Sequence, residues 1–275
     1  MSLSFCSFSS GSSGNCYLIK TEETAILIDA GISAKKTLTG LDRTNTPREN
    51  VKAIFLTHEH RDHIEGARVL MKKLNNAAIY ASRGTIEGVL RFDSKQKYSF
   101  AKEVSEERRF VIAPKEAITV GSITIYAFRT LHDAAEPYGY FIASEKNSIA
   151  LLTDTGNVSE EMLEFIADAD ILVLESNHDT DLLRAGRYPY FLKQRILSDF
   201  GHLSNNQAAA VLLRLFGYCD KKRLVFLAHL SEENNAPAIA ERTVLMALAR
   251  ENRFTGSDLY MGVLLRDEAS ILYRF

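Results

Sequence analysis

The 275 residues suffice for one large domain or two small ones, and 46% of them are apolar, enough for a full core. A formal net charge of −2 rules out a global field that would draw nucleic acid or an acidic membrane, so any polyanion must meet a local patch. Cys6, Cys16 and Cys219 lack C-x-x-C spacing, which argues against a disulfide framework or zinc knuckle. No basic leader or eighteen-residue apolar run occurs, so the expectation is a reduced, cytoplasmic protein with no membrane partner.

Leu3 to Phe8 and Cys16 to Lys20 read as short strands. The loop between them, Ser9-Ser10-Gly11-Ser12-Ser13-Gly14-Asn15, reads first as a flexible hairpin turn. Its small residues would also let backbone amides approach phosphate oxygens. Thr24 to Ile28 is a buried strand ending in Asp29-Ala30-Gly31, where the carboxylate either serves a site at the strand's end or caps the next helix. Val51 to Thr57 is another, and it runs straight into His58-Glu59-His60-Arg61-Asp62-His63. A helix is predicted next, with Ile64, Ala67, Leu70, Met71 and Leu74 on its inner face. Three imidazoles and a carboxylate on one tight turn are good ligands for divalent transition metals and have little packing value. A solvated His-rich loop is the bland alternative, and the H-x-H-x-D-H order argues against it.

Ala77 to Ala81 is a short strand. Residues 83 to 117 are mixed in charge and yield no clear element, and Ser105 to Arg109 reads as a solvated face. Gly121 to Arg129 alternates as a strand and ends at Thr130-Leu131-His132-Asp133. Tyr138 to Ala143 and Ser148 to Leu152 read as a hairpin. The second of these ends in Thr153-Asp154-Thr155-Gly156, an echo of Ile28-Asp29-Ala30-Gly31 that hints at internal duplication. Asn157 to Glu160 resembles a capping box before a helix with Met162, Phe165 and Ile166 inward. Ser204 to Gln207 is a second, before a helix burying Ala208, Val211, Leu212, Leu215 and Phe216. Ile171 to Leu174 is a strand leading into Glu175-Ser176-Asn177-His178-Asp179, and Leu224 to Ala228 is one ending at His229. Pro237 opens a helix to about Glu251, and Leu259 to Leu265 and Ser270 to Phe275 close as strands. No linker divides the chain. Residues 1–275 read as one α+β domain of two similar halves, two sheets covered by helices.

Six apolar runs end in a potential ligand: Asp29, His58, His132, Asp154, Glu175 and His229. Strand ends hold such side chains rigidly. The ordered set, H-x-H-x-D-H preceded by the strand with Asp29 and followed by isolated His132, Asp154 and His229, resembles the metallo-β-lactamase superfamily. That resemblance implies a four-layer αββα sandwich (the metallo-β-lactamase fold) with a dinuclear metal site at one edge. It implies one ion held by His58, His60 and His132, a second by Asp62, His63 and His229, Asp154 between the two, and Asp29 supporting the site from behind. Zinc, manganese and iron all suit these ligands. Two such cations bring a water towards neutral acidity, and Asp62 can align that nucleophile.

Glu175 and His202 resemble the proton-donating pair of phosphodiesterase branches such as tRNase Z, because an alkoxide leaving group needs an acid. Capping roles for both are the plain alternative. Between them, Asp181 to Arg195 interleaves basic and aromatic residues, Arg187 and Lys193 among them, as a surface that grips phosphates and stacks bases requires. An amphipathic surface segment looks much the same. The span is too short for the inserted domain of the β-CASP nucleases. The stretch Ser9 to Tyr17, Glu175 to Asp179, Gly201 to Asn205, and His229-Leu230-Ser231 with Asn234-Asn235 resemble the WalJ/YycJ group of bacterial metallohydrolases over essentially the full length. This implies a 5′ to 3′ DNA exonuclease using manganese or zinc. It gives Ser13 and Asn15 weight as substrate contacts and places His178 at the site mouth. The alternatives are a hydrolase of a cyclic phosphodiester, lactone or thioester, a tRNase Z-like RNA-processing nuclease, and a metal-holding module without catalysis. Oligomeric state is not readable from the sequence.

Overall fold

The computed structural model describes residues 1–93 and 100–275. Its strands form two seven-stranded sheets. The first contains β1 (Ser4–Ser9), β2 (Cys16–Lys20), β3 (Ala25–Ile28), β4 (Val51–Phe55), β5 (Ala78–Ala81) and β6 (Arg109–Val111). The second contains β7 (Ala117–Val120), β8 (Ile123–Arg129), β9 (Tyr138–Ala143), β10 (Ser148–Leu152), β11 (Ile171–Glu175), β12 (Arg223–Ala228) and β13 (Leu259–Val263). A last strand, β14 (Tyr273–Arg274), returns to pair with β1, so the orders are β14-β1-β2-β3-β4-β5-β6 and β13-β12-β11-β10-β9-β8-β7. Each sheet has three antiparallel pairings followed by three parallel ones. The change falls at β3 in one and β10 in the other, the strands that lead into Asp29 and Asp154. The echo in sequence is a repeat in topology.

Side-chain alternation along the strands builds the layers. In β2, Tyr17 and Ile19 face the opposite sheet while Leu18 faces helices. In β10, Ile149 and Leu151 face inward while Ala150 and Leu152 face helices. Helices α1 (Ala34–Arg43), α2 (Arg61–Ile64), α3 (Ala67–Met71), α4 (Arg83–Asp93) and α5 (Phe100–Glu103) cover the first sheet. On the second lie α6 (Glu160–Ala167), α9 (Asn205–Tyr218) and α10 (Pro237–Arg250). The short α7 (Thr180–Ala185) and α8 (Tyr190–Ile196) follow β11. The result is the αββα sandwich. Among the described residues no helix is long and apolar enough to cross a membrane.

Four local expectations need correction. The helix predicted from Ile64 to Leu74 is broken into α2 and α3 at Glu65-Gly66, although all five inward residues are buried. The break lets the loops after β3 and β4 cross: a Cβ on Gly66 would lie 1.9 Å from the Ile32 carbonyl, and one on Gly31 1.6 Å from that of Asp62. The cap before α6 is Ser159, not Asn157, and it lacks the reciprocal bond. The second capping box, Ser204 with Gln207, is complete. The unread stretch 83–117 holds α4, α5, β6 and the start of β7; its residues 94–99 lie outside the described ones.

Finally, Ser105 to Arg109 is not wholly a solvated face. Arg108 turns in to donate to the carbonyls of Ala77 (2.8 Å), Leu74 (2.6 Å) and Met71 (3.2 Å), tying the chain after α3 to the strand that follows. Arg108→Ala removes the guanidinium donors from these carbonyls, of which that of Leu74 keeps the Ala77 amide (3.1 Å), and is expected to cost about 2 kcal/mol. A urea unfolding midpoint equal to that of the unmutated protein would contradict this.

Candidate metal centre and cleft

Ligand side chains gather where strands of both sheets end. Asp29, Asp154 and His229 follow β3, β10 and β12, and each holds a positive φ, 61°, 56° and 56°. This left-handed turn is uncommon without glycine, and it swings each side chain back over the sheet edge. His58 and His60 come from the turn between β4 and α2, Asp62 and His63 from α2 itself, and His132 from the loop after β8.

The second-row contacts aim the rings. The buried Asp29 carboxylate accepts from the Thr57 amide (2.8 Å), the Thr57 hydroxyl and His63 Nδ1 (2.7 Å). That leaves His63 Nε2 facing Asp62 Oδ2 at 3.4 Å and Asp154 Oδ2 at 3.5 Å. His132 Nδ1 donates to the Gly201 carbonyl (3.0 Å), and its Nε2 meets His60 Nδ1 at 3.2 Å. His229 Nδ1 donates to Glu175 Oε1 (2.9 Å), so its Nε2 points at Asp62 Oδ2, 3.5 Å away. Such partners fix tautomer and orientation.

The ligand atoms of His58, His60 and His132 lie within 4.8 Å of one another, as do those of Asp62, His63 and His229. Asp154 shares such a group with His58 and His63, and another with Glu175, His202 and His229, in which both Nδ1 atoms are engaged by Glu175 Oε1. Buried atoms without any hydrogen-bond partner test whether an ion fits. His58 Nε2, His229 Nε2 and Asp154 Oδ2 are three of them, all within the cluster. Burying them unpaired would be costly, and imidazole with carboxylate is a donor set for divalent transition metals. The residues fit metal ions.

Charges agree. Burial, reinforced by the neighbouring imidazoles, holds the His58 ring well below its ordinary pKa, so it stays a neutral donor. Burial opposes charge on His63 and His229 as well. Asp154, Asp29 and Asp62 nevertheless hold His63 well above its usual value, and Asp154, Asp62 and Glu175 push His229 up to about 10. Against burial, His63 and His229 hold Asp62 far below the carboxylate range. The site concentrates negative charge that calls for cations.

Glu175 is fully buried and fully engaged. Its Oε1 accepts from His202 Nδ1 (2.7 Å) and His229 Nδ1, and its Oε2 from the amides of Thr155 (3.0 Å) and Leu203 (3.2 Å). His202 is partly exposed and lines a cleft of about 220 Å³ together with His60, Asp62, His132, Asp154 and His229. Tyr188, Leu192, Arg195 and Ile196, in and just before α8, also line it.

The residues expected to touch substrate are placed otherwise. Ser12, not Ser13, lines the cleft. Asn15 is buried and braces the ligand turn: its amide donates to the Asp62 carbonyl (2.8 Å) and its Nδ2 lies 3.1 Å from His63 Nε2. Arg187 is exposed and does not line the cleft, and Lys193 donates to the Arg184 carbonyl (2.7 Å). His178 is not at the mouth. It is fully buried, bridged by its backbone to Ser204, and neither ring nitrogen has a partner in the protein. Sequence reasoning missed Thr57, Ser12 and Arg195. Arg195 carried a signal in the basic and aromatic segment and Ser12 in the glycine-rich loop, and Thr57 carried none.

Burial pushes the His178 pKa down to about 4. Between an unfolded value near ~6.5 and about 4, the unfolded chain takes up a proton that the native protein excludes. Stability is therefore full above that window and falls as pH drops through it, by roughly 3 kcal/mol in all. Urea titrations across that range should show the slope flattened in His178→Gln. An equal slope in the variant would contradict this.

Residues 24–254 match the family model described as the beta-lactamase superfamily domain. The chain belongs to the metallo-β-lactamase superfamily and is a metal-dependent hydrolase. It is similar to exodeoxyribonuclease WalJ of Streptococcus pneumoniae, 38% identical over 249 residues, 90% of this chain and 89% of that protein. It is also similar to exodeoxyribonuclease YycJ of Bacillus anthracis, 36% identical over 248 residues, 90% of each. The structure resembles that of the metallo-beta-lactamase fold protein YhfI from Bacillus subtilis over the full length of both, with a TM-score of 0.71 at 18% identity, a likeness of fold.

Proposed function

We propose that this chain is a dinuclear metal-dependent phosphodiesterase that degrades DNA from its ends, in the 5′ to 3′ direction, as a single domain spanning residues 1–275. The observation that carries the reading is the His202–Glu175 pair set into the cleft beside the ligand cluster. The names and coverage of the two curated relatives support it. The free thiols of Cys6, Cys16 and Cys219 suit a cytoplasmic setting.

His58, His60 and His132 would hold one ion and Asp62, His63 and His229 the other, with Asp154 shared. When bound, zinc, manganese or iron at these positions supplies Lewis acidity and a water acidic enough to attack near neutral pH. The Asp62 carboxylate, partly exposed at the cleft floor, aligns the attacking water. Glu175 holds the Nδ1 proton of His202, which leaves Nε2 to deliver a proton to the departing sugar oxygen. Tyr188 and Leu192 add an aromatic and an apolar surface to the cleft lining, against which a base could pack.

End-labelled single- and double-stranded DNA incubated with manganese-loaded protein should lose nucleotides stepwise from the 5′ end. Intact DNA alongside turnover of bis(p-nitrophenyl) phosphate would instead assign a small phosphodiester substrate.

A further inference from the structure

We infer that Arg195 grips a phosphate of the strand lying in the cleft, an assignment that rests on the nuclease reading above. Among the described residues that line the cleft, Arg195 is the one permanent cation, in a lining that also contains Asp62 and Asp154. A phosphodiester entering there is anionic, and the carboxylates repel whatever the ions do not neutralise. Guanidinium is the side chain that matches phosphate oxygens with paired donors.

Its geometry is set in advance. Nε and Nη2 both donate to the Asp133 carboxylate, the latter at 3.0 Å. Asp133 is itself anchored: it follows the ligand His132, its amide donates to the Phe200 carbonyl (3.1 Å), and its Oδ1 lies 3.4 Å from His132 Nε2. The fork is thereby tied to the wall of the three-histidine group, and Nη1 is left for a ligand. The side chains of Arg195 and Asp133 are 49% and 34% exposed, so the pair contributes little as a plain surface bridge. By contrast, Arg187 stands outside the cleft lining, and the Lys193 ammonium is spent on a carbonyl.

The test is binding of a fluorescein-labelled single-stranded phosphorothioate oligonucleotide, resistant to cleavage, to metal-loaded protein at several salt concentrations. Arg195→Ala is expected to bind about tenfold more weakly, and the slope of log K against log salt should shrink by about 0.7, the share of one phosphate contact on a single strand. Arg195→Lys should keep the slope and recover part of the affinity, since it restores the charge but not the fork. On ordinary DNA the alanine variant should raise KM more than it lowers kcat. Unchanged affinity and slope in Arg195→Ala, with wild-type protein digesting DNA, would overturn the assignment and leave the nuclease reading intact. A wild-type protein that neither binds nor digests DNA would overturn both.

Discussion

Replacing Asp62 by alanine should lower hydrolysis by about a thousandfold or more, some ~4 kcal/mol of transition-state stabilisation. The carboxylate faces His63 Nε2 and His229 Nε2 at 3.4 and 3.5 Å and lines the cleft, and on the proposed function it orients the attacking water. Its loss leaves His63 and His229 with one carboxylate fewer to share a cation with. The variant is therefore expected to lose one bound ion as well as its rate. Metal analysis of the purified variant beside its kcat decides the matter. Full metal content at full activity would remove Asp62 from both roles.

Replacing His202 by alanine should cost about 10²–10⁴-fold on DNA, the usual share of one positioned acid. Metal content should not change, because His202 Nδ1 is occupied by Glu175 and its ring stands in the cleft. The loss should nearly vanish on bis(p-nitrophenyl) phosphate, whose leaving group departs without a proton. Glu175→Gln should behave differently. It disturbs both His202 and His229, so it is expected to lose rate and metal together. If His202→Ala slowed both substrates equally, the donor role would fall.

The residues that the structure gathers into one cluster were legible because each is local: an apolar run followed within a few positions by His or Asp. Asp29 and Asp154 were legible as a pair for the same reason, and the repeated sheet topology explains the echo. What the sequence concealed depends on distant contacts. Asn15 looked like a substrate contact because its loop is glycine-rich; only the crossing of that loop with the turn 47 positions later makes it a brace. Arg108 looked solvated because its neighbours are charged, while the carbonyls it serves lie more than thirty positions upstream. His178 stands beside a motif residue, yet the bridge to Ser204 rolls it inward. In the basic segment, composition pointed to a phosphate surface, but which cation enters the cleft follows from the fold of α8.

The proposed ligands are drawn from both halves of the repeat: four from the turn after β4 and from α2, and His132, Asp154 and His229 from the other sheet. Ions held by these residues would act as cross-links. A chelator would then remove the chemistry and also unfasten one half from the other. With free metal at about a hundred times its dissociation constant, the loaded protein gains about 2.7 kcal/mol, and calorimetric scans should show the melting temperature fall on stripping. Metal supply would then govern the protein's lifetime as well as its turnover.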